Sequence, residues 1–241
     1  MAALTEEQTM IQHQAQSWVL KHAPVQKFRD VRDSDNAVEF SPETWKEMVD
    51  MGWAGIIIPE AYGGSDLGYL TFGLILEQAG RQLTASPLFA SGLVGASAIL
   101  IGGSETQKKN LLPGIADGSQ IVTLALEETP RHAPEKVALT AKPDAGIFTL
   151  SGNKTFVSEG MAATSYIVAA RTDGEAGNTD GITLFIVAAD AEGVERTKLS
   201  TLDSRGYANI KFNQVTVTED AILGSVGEGY ELLGAVLDRA R

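Results

Sequence analysis

Phe156 and Ser158 stand two residues apart in GNKTFVSEG, Gly152 to Gly160. In an alternating strand two such residues point to one face. An aromatic ring and a hydroxyl side by side can lie against a flat ligand and hydrogen-bond it. The same pattern also describes an ordinary strand with one buried and one solvated face, so the company the segment keeps decides between them. A second candidate run, TLALEE from Thr123 to Glu128, ends in two acids. Adjacent on a strand, Glu127 and Glu128 face opposite ways, which argues against an acid–base pair. His13 and His22 have no companion at ligand spacing, so a metal site is not expected. Arg131 and His132 lie in the loop PRHAPEKVA, Pro130 to Ala138, where they meet either an anion or solvent.

The elements that must position these residues change character along the chain. Thr5 to Gln8, TEEQ, reads as a capping box before a helix ending near His22 and Pro24. Ser41, Pro42 and Glu43 open a second helix, with Trp45, Met48 and Val49 inward, that should stop at Gly52. Tyr69 to Gln82 and Pro87 to Leu100 carry dense apolar faces, and Ser104 with Gln107 caps a helix expected to end before Pro113.

After Asp117 and Gly118 the helical period gives way to short β-rich runs. These are Ile121 to Leu126, Val137 to Ala141, Ile147 to Leu150, Lys154 to Val157, Tyr166 to Ala170, Ile182 to Val187 and Tyr207 to Val217. Strands this closely spaced predict a barrel or sandwich rather than a βαβ sheet. The glycine loop Gly224 to Gly229 has no phosphate-binding lysine after it and reads as a hinge. Leu232, Leu233, Val236, Leu237 and Ala240 then form an apolar stripe on a final helix, and a stripe needs a partner. The expected class is α+β: an all-helical domain over 1–118, a β-barrel or sandwich over 119–226, and the first turns of a further helical domain over 227–241. Because the apolar periods differ, the first two are expected to form separate cores.

Composition excludes several functions. A net charge of -12 argues against nucleic-acid binding, which needs clustered cations. The absence of cysteine excludes disulfides and thiolate chemistry and suits a reducing cytoplasm. MAALTEEQ lacks the pattern of a secretory signal, and the most apolar run, Leu88 to Ile101, is too short to span a bilayer. Neither a membrane nor a nucleic-acid partner is expected.

Four segments in register resemble the acyl-CoA dehydrogenase family. IIIPEAYGGSDLG (Ile56 to Gly68) is similar to its Pro-Glu-x-x-Gly-Gly turn, and GGSETQKKNLLPGIADGSQ (Gly102 to Gln120) to its Gln-Lys and Leu-Pro segment. GNKTFVSEG resembles its flavin strand, and ILGSVGEGYELLGAVLDRAR (Ile222 to Arg241) the entry to its C-terminal helical bundle. The resemblance implies FAD as the electron sink that hydride removal from an acyl chain requires. Phe156 would lie against the isoalloxazine, Ser158 near its reactive nitrogen, and the Val157 backbone along the ring edge. Leu124, Leu126 and Glu127 would supply the other half of the pocket.

Glu127 departs from the family, which places a threonine there; a carboxylate accepts hydrogen bonds only, and its charge disfavours a ring that must take up hydride. The family's Ala-Gly-Ser-Asp is likewise replaced by PRHAPEKVA. Leu237, Asp238 and Arg241 match the family near its acyl-CoA wall, although Asp238 and Arg241 are also an ordinary helical i,i+3 pair. The family's catalytic base is expected beyond Arg241, so no catalytic residue is assigned within the chain, which is expected to be inactive by itself, to hold FAD poorly or not at all, and to stop just inside the third domain. Homo- or hetero-oligomers and an electron-transfer flavoprotein acceptor are the implied partners, and lipid metabolism the implied setting. A flavin-poor, non-catalytic subunit paired with an active paralogue remains open, supported by Glu127, by the lost Ala-Gly-Ser-Asp and by TLDSRGYANIKF (Thr201 to Phe212), as does an oxidase of the same fold.

Overall fold

The computed structural model describes residues 3–203 and 206–241. Helix α1 (Glu6–His22) begins on the expected capping box, with Gln8 N donating to Thr5 Oγ1 and Thr5 N to Gln8 Oε1. The helical pattern read from the sequence stops near Pro24, yet a further helix, α2 (Val25–Arg32), follows with no buried residue. Ser41 caps α3 (Pro42–Asp50), which buries Trp45 and Met48. The α4 helix (Gly68–Arg81) buries Phe72, Leu74 and Ile75. The apolar run after Pro87 is a wide π-helical coil over Leu88–Gly95 that tightens into α5 (Ala96–Gly102). Helix α6 (Glu105–Ala116) does not end before Pro113 as expected; it continues through it. Leu112, Ile115 and Ala116 are buried around an exposed Pro113, and that packing outweighs the one helical bond the proline removes.

Eight strands follow: β1 (Val122–Ala125), β2 (Thr140–Asp144), β3 (Ile147–Val157), β4 (Ser165–Arg171), β5 (Ile182–Ala188), β6 (Val194–Lys198), β7 (Ala208–Thr218) and β8 (Ile222–Leu223). They form one mixed sheet in the order β6-β7-β3-β2-β4-β5-β8, with β1 parallel to β4. Phe148 of β3 meets Phe185 of β5 at 5.1 Å, and Tyr166 of β4 meets Phe212 of β7 at 6.3 Å. Neither pair of strands is adjacent in the sheet, so the sheet curls over an inner core. The runs expected as two strands around Gly152 are one, because register shifts between Leu150 and Gly152 and between Lys154 and Val157 let β3 bend without ending. Strand β6 has no apolar alternation to read; pairing to β7 along the sheet edge creates it.

The expectation of separate cores is not met. An inner core is built from residues after Val122 alone, including Leu150, Val168, Phe185 and Ile210 of the strands and Leu139, Ala163 and Ala189 of the loops. The larger core mixes Trp53, Phe72 and Ile99 with Val122, Ile167, Ala169 and Leu184. Strand β4 explains this, since it buries both faces: Tyr166, Val168 and Ala170 point to the inner core, Ile167 and Ala169 to the helices. Contact is close enough that a Cβ on Gly95 would lie 2.2 Å from the Val122 carbonyl oxygen. Gln107 Nε2 adds hydrogen bonds of 2.8 Å to the carbonyls of both Asp220 and Ile222. The final helix α7 (Gly229–Ala240) is not left bare: Leu233 and Val236 are buried in the larger core, and Leu232 packs on Gly102 of α5.

Candidate functional site

Strands β1 and β3 belong to different parts of the sheet path, but their ends converge through a set of cross-links. Thr155 N donates to the Glu127 carbonyl at 2.7 Å, and Thr123 Oγ1 to the Ser158 carbonyl at 2.8 Å. Behind them the fully buried Lys154 ammonium donates to the Leu126 carbonyl at 2.9 Å and to Glu128 Oε1 at 2.8 Å. Glu128 also accepts from Ala138 N and Leu139 N, both at 2.9 Å. Burial pushes the Lys154 pKa down, against the opposing pull of Glu128. The knot fixes the backbone on either side of Glu127 and so sets where the exposed faces of both strands point.

On that exposed face, β3 does not alternate simply. Phe156 has φ of +49°, in the left-handed region, at the register shift that ends the strand. The extra residue leaves Lys154 and Val157 buried and turns Phe156 outward, with 45% of the residue exposed and its ring edge-on to Tyr207 at 6.0 Å. Ser158 lies just past the strand, in a turn. Phe156 and Ser158 therefore share a face through a bulge rather than through strict alternation.

Between β1, β3, the π-helical coil and α7 lies a cavity of about 210 Å³. Phe89, Val94, Leu124, Leu126, Phe156 and Leu237 give it apolar walls, and Thr123, Glu127, His132, Thr155 and Ser158 supply the polar groups. Drug-sized ligands fill roughly 300–1,000 Å³, so this space suits one flat ring system and not a whole dinucleotide. Phe89 also borders a larger cavity of about 700 Å³, walled by Phe28, Leu76, Leu83 and Leu202, with Arg32 and Asp203 among its polar residues.

The two adjacent acids do face opposite ways. Glu128 joins the lysine knot, whereas Glu127 Oε1 lies 2.6 Å from His132 Nδ1 and Oε2 accepts from Ala133 N at 3.3 Å. Glu127 lines the cavity, and its carboxylate is also held by its own loop. Arg171 anchors that loop from below, its guanidinium donating to the carbonyls of Val137 at 2.7 Å, Asn178 at 2.9 Å and Asp180 at 2.9 Å. Burial lowers the Arg171 pKa, partly offset by Glu128.

Leu124, Leu126, Glu127, Phe156, Ser158 and Leu237 thus come together around one cavity. Val157 turns its side chain into the inner core and leaves only its backbone nearby. Asp238 and Arg241 do not line the cavity; they pair with each other at 2.7 Å on an exposed helix end. In TLDSRGYANIKF, Ser204 and Arg205 lie outside the described residues. Lys154 and Thr155 carry no site role in the sequence pattern, and Thr123 enters it only as the start of the run TLALEE. A lysine inside an otherwise β-rich segment was the one legible sign, because a buried ammonium must find acceptors. No group of three or more His, Asp or Glu suited to a metal occurs among the described residues.

Sequence models described as "Acyl-CoA dehydrogenase, N-terminal domain" and "Acyl-CoA dehydrogenase, middle domain" match residues 5–119 and 127–218. A curated relative, "Isovaleryl-CoA dehydrogenase, mitochondrial" of Solanum tuberosum, is 34% identical over 212 residues, covering 82% of this chain and 49% of its own length. Among solved structures, a variant of the Tcur3481-Tcur3483 steroid ACAD superposes with a TM-score of 0.84 at 33% identity, over 98% of this chain and 60% of its own. A chain from a structure described as the electron transferring flavoprotein of Acidaminococcus fermentans superposes with a TM-score of 0.86 at 27% identity, over 100% of this chain and 63% of its own. The chain spans about half the length of the curated relatives it matches.

Proposed function

The chain belongs to the acyl-CoA dehydrogenase family, and from that membership we propose that it supplies the helical N-terminal and β middle parts of an FAD-dependent enzyme that desaturates an acyl-CoA thioester between Cα and Cβ. The observation that carries the reading is the cavity in which an exposed Phe156 ring stands beside a Ser158 hydroxyl with no protein partner among the described residues. Its apolar walls and few polar groups fit the ring of a flavin. The chemistry FAD would supply here is uptake of the hydride leaving Cβ. Phe156 and Leu126 would enclose the ring, Ser158 would hydrogen-bond it, and the apolar lining would exclude water. The adjoining cavity at Phe89 gives an acyl chain an apolar path. By the family resemblance the base that takes the α-proton lies outside these residues, and Leu237, Asp238 and Arg241 stand on the helix that approaches acyl-CoA. Acyl-CoA as substrate, an electron-transfer flavoprotein as acceptor and an oligomeric state belong to this same reading.

A second reading, the non-catalytic subunit of a hetero-oligomeric dehydrogenase, draws on the likeness to the Tcur3481-Tcur3483 steroid ACAD. The acid at position 127 counts for it less than the sequence suggests, since that carboxylate is engaged by His132 and Ala133. No helix among the described residues is long and apolar enough to cross a membrane. The lack of cysteine supports our placement in a reducing compartment such as the cytoplasm, while the potato relative is named as mitochondrial. The test is the protein expressed from its complete reading frame. A flavin absorption band that bleaches anaerobically on adding an acyl-CoA supports the enzyme, a flavin band that no acyl-CoA changes overturns the catalytic reading, and no flavin binding at any concentration favours the flavin-poor partner subunit and overturns both the cofactor and the catalytic reading.

A further inference from the structure

Hydrogen-bond accounting around the 210 Å³ cavity leaves few groups free to meet a ligand. The Thr123 hydroxyl is committed to the Ser158 carbonyl at 2.8 Å, and the Thr155 hydroxyl to Asn209 Oδ1 at 2.6 Å. Glu127 spends one oxygen on His132 and the other on Ala133 N. Two polar side-chain groups of the lining remain unpartnered among the described residues: the Ser158 hydroxyl and Nε2 of His132.

A carboxylate only accepts, so the 2.6 Å contact fixes a proton on His132 Nδ1 and leaves Nε2 as the nitrogen for a ligand. The imidazole is 56% exposed while its partner Glu127 is 22% exposed, so the acid sits behind and the ring in front. We propose that Glu127 is a positioning residue and His132 the ligand-facing one, and that protonated His132 donates from Nε2 to a hydrogen-bond acceptor on the edge of the flat ligand in this cavity. The assignment rests on the flavin reading above and extends it: the hydroxyl donor expected at position 127 is replaced by an imidazolium held by an acid.

The surroundings favour this arrangement. Glu127 and the imidazolium together are neutral, which removes the objection to an acid beside an electron-accepting ring. The other facing elements bring no competing charge: β3 presents Thr155, Phe156 and Ser158, the π-helical coil Phe89, Ala90 and Val94, and α7 Leu237 and Ala240. Lys154 and Glu128 are paired on the opposite side of the strands, Asp238 and Arg241 are paired with each other, and Arg131 is exposed on the same loop.

FAD titrations followed by fluorescence quenching over a pH series, with calorimetry in two buffers of different ionisation enthalpy, test the proposal. Wild-type protein should bind flavin more tightly as pH falls and take up protons on binding. His132→Ala should weaken binding about ten- to a hundredfold, the loss of a hydrogen bond from a charged donor, and abolish the uptake. His132→Gln keeps an amide donor and should recover part of the affinity without proton uptake. Glu127→Thr, which restores the family's residue, should weaken binding rather than strengthen it. Wild-type protein that binds flavin with no proton uptake, or a His132→Ala variant that binds as tightly as wild type, overturns the inference while leaving the flavin site standing. Wild-type protein that binds no flavin overturns both. An exposed histidine tolerates both substitutions, and unchanged far-UV circular dichroism verifies folding.

Discussion

Phe156 carries two costs that a pair of substitutions can separate. Its φ of +49° places a bulky residue in the left-handed region, and its ring is held half in solvent with one edge contact to Tyr207. Phe156→Ala removes the ring but keeps a Cβ, so it keeps the backbone strain. Phe156→Gly removes both. The left-handed conformation costs an L-residue about 1–2 kcal/mol, whereas glycine's greater freedom in the unfolded chain costs roughly 0.5–1 kcal/mol. The glycine variant should therefore be the more stable of the two by about 0.5–1 kcal/mol. Losing a half-buried ring and its aromatic contact should leave the alanine variant about 1–3 kcal/mol below wild type. Flavin affinity behaves differently, because it follows the ring: both variants should lose about ten- to a hundredfold, the worth of roughly 1–3 kcal/mol of stacking. Urea unfolding at constant slope measures the first quantity and flavin fluorescence titration the second. An alanine variant as stable as the glycine variant refutes the strained backbone, and undiminished flavin affinity in both refutes the stacking role.

Lys154→Met should destabilise the fold by about 3–5 kcal/mol, because it leaves Glu128 without its ammonium and the Leu126 carbonyl without a donor. Adding Glu128→Gln should recover part of that loss in urea unfolding; a neutral effect of the single change sinks the knot as an organiser of the site. Tyr166 is fully buried with its hydroxyl donating to the Gly160 carbonyl, and burial pushes its pKa up to about 12. Its folded value lies above the unfolded one near 10, so the native state holds the proton longer. Its contribution is fully present below pH about 10 and is lost, by about 2–3 kcal/mol, as pH rises through about 12. Phenolate absorbance should show a late step near pH 12 that Tyr166→Phe removes, and a wild-type curve from which Tyr166→Phe removes no late step counts against its burial.

The fold was legible wherever local pattern and burial agree. Capping boxes at Thr5 and Ser104 marked two helix starts because a hydroxyl and an amide three residues apart satisfy each other's backbone groups whatever the tertiary context. Strands β4 and β5 were legible as apolar runs. Their consequence was not: a run buried on both faces must serve two cores, so the helical and β regions share one. Pro113 hides the last turn of α6 from the sequence, because the burial of Leu112 and Ile115 overrides its propensity. The polar strand β6 had no local signal, since its pairing partner β7 is fixed only by the sheet.

At the site, the residue types were readable and their orientations were not. The sequence puts an aromatic and a hydroxyl two apart, but only the bulge, a φ of +49° at Phe156, decides that the intervening Val157 goes inward while both partners stay outside. Glu127 shows the same limit from the other side. Its identity predicts a repulsive acid; its neighbour five residues on, brought back by a loop that Arg171 pins through backbone carbonyls, converts that acid into the support of a donor. A one-letter departure from a motif therefore does not by itself report a lost function. What decides it is whether the new side chain is satisfied by the protein, and at position 127 the histidine that satisfies it is also the group left facing the cavity.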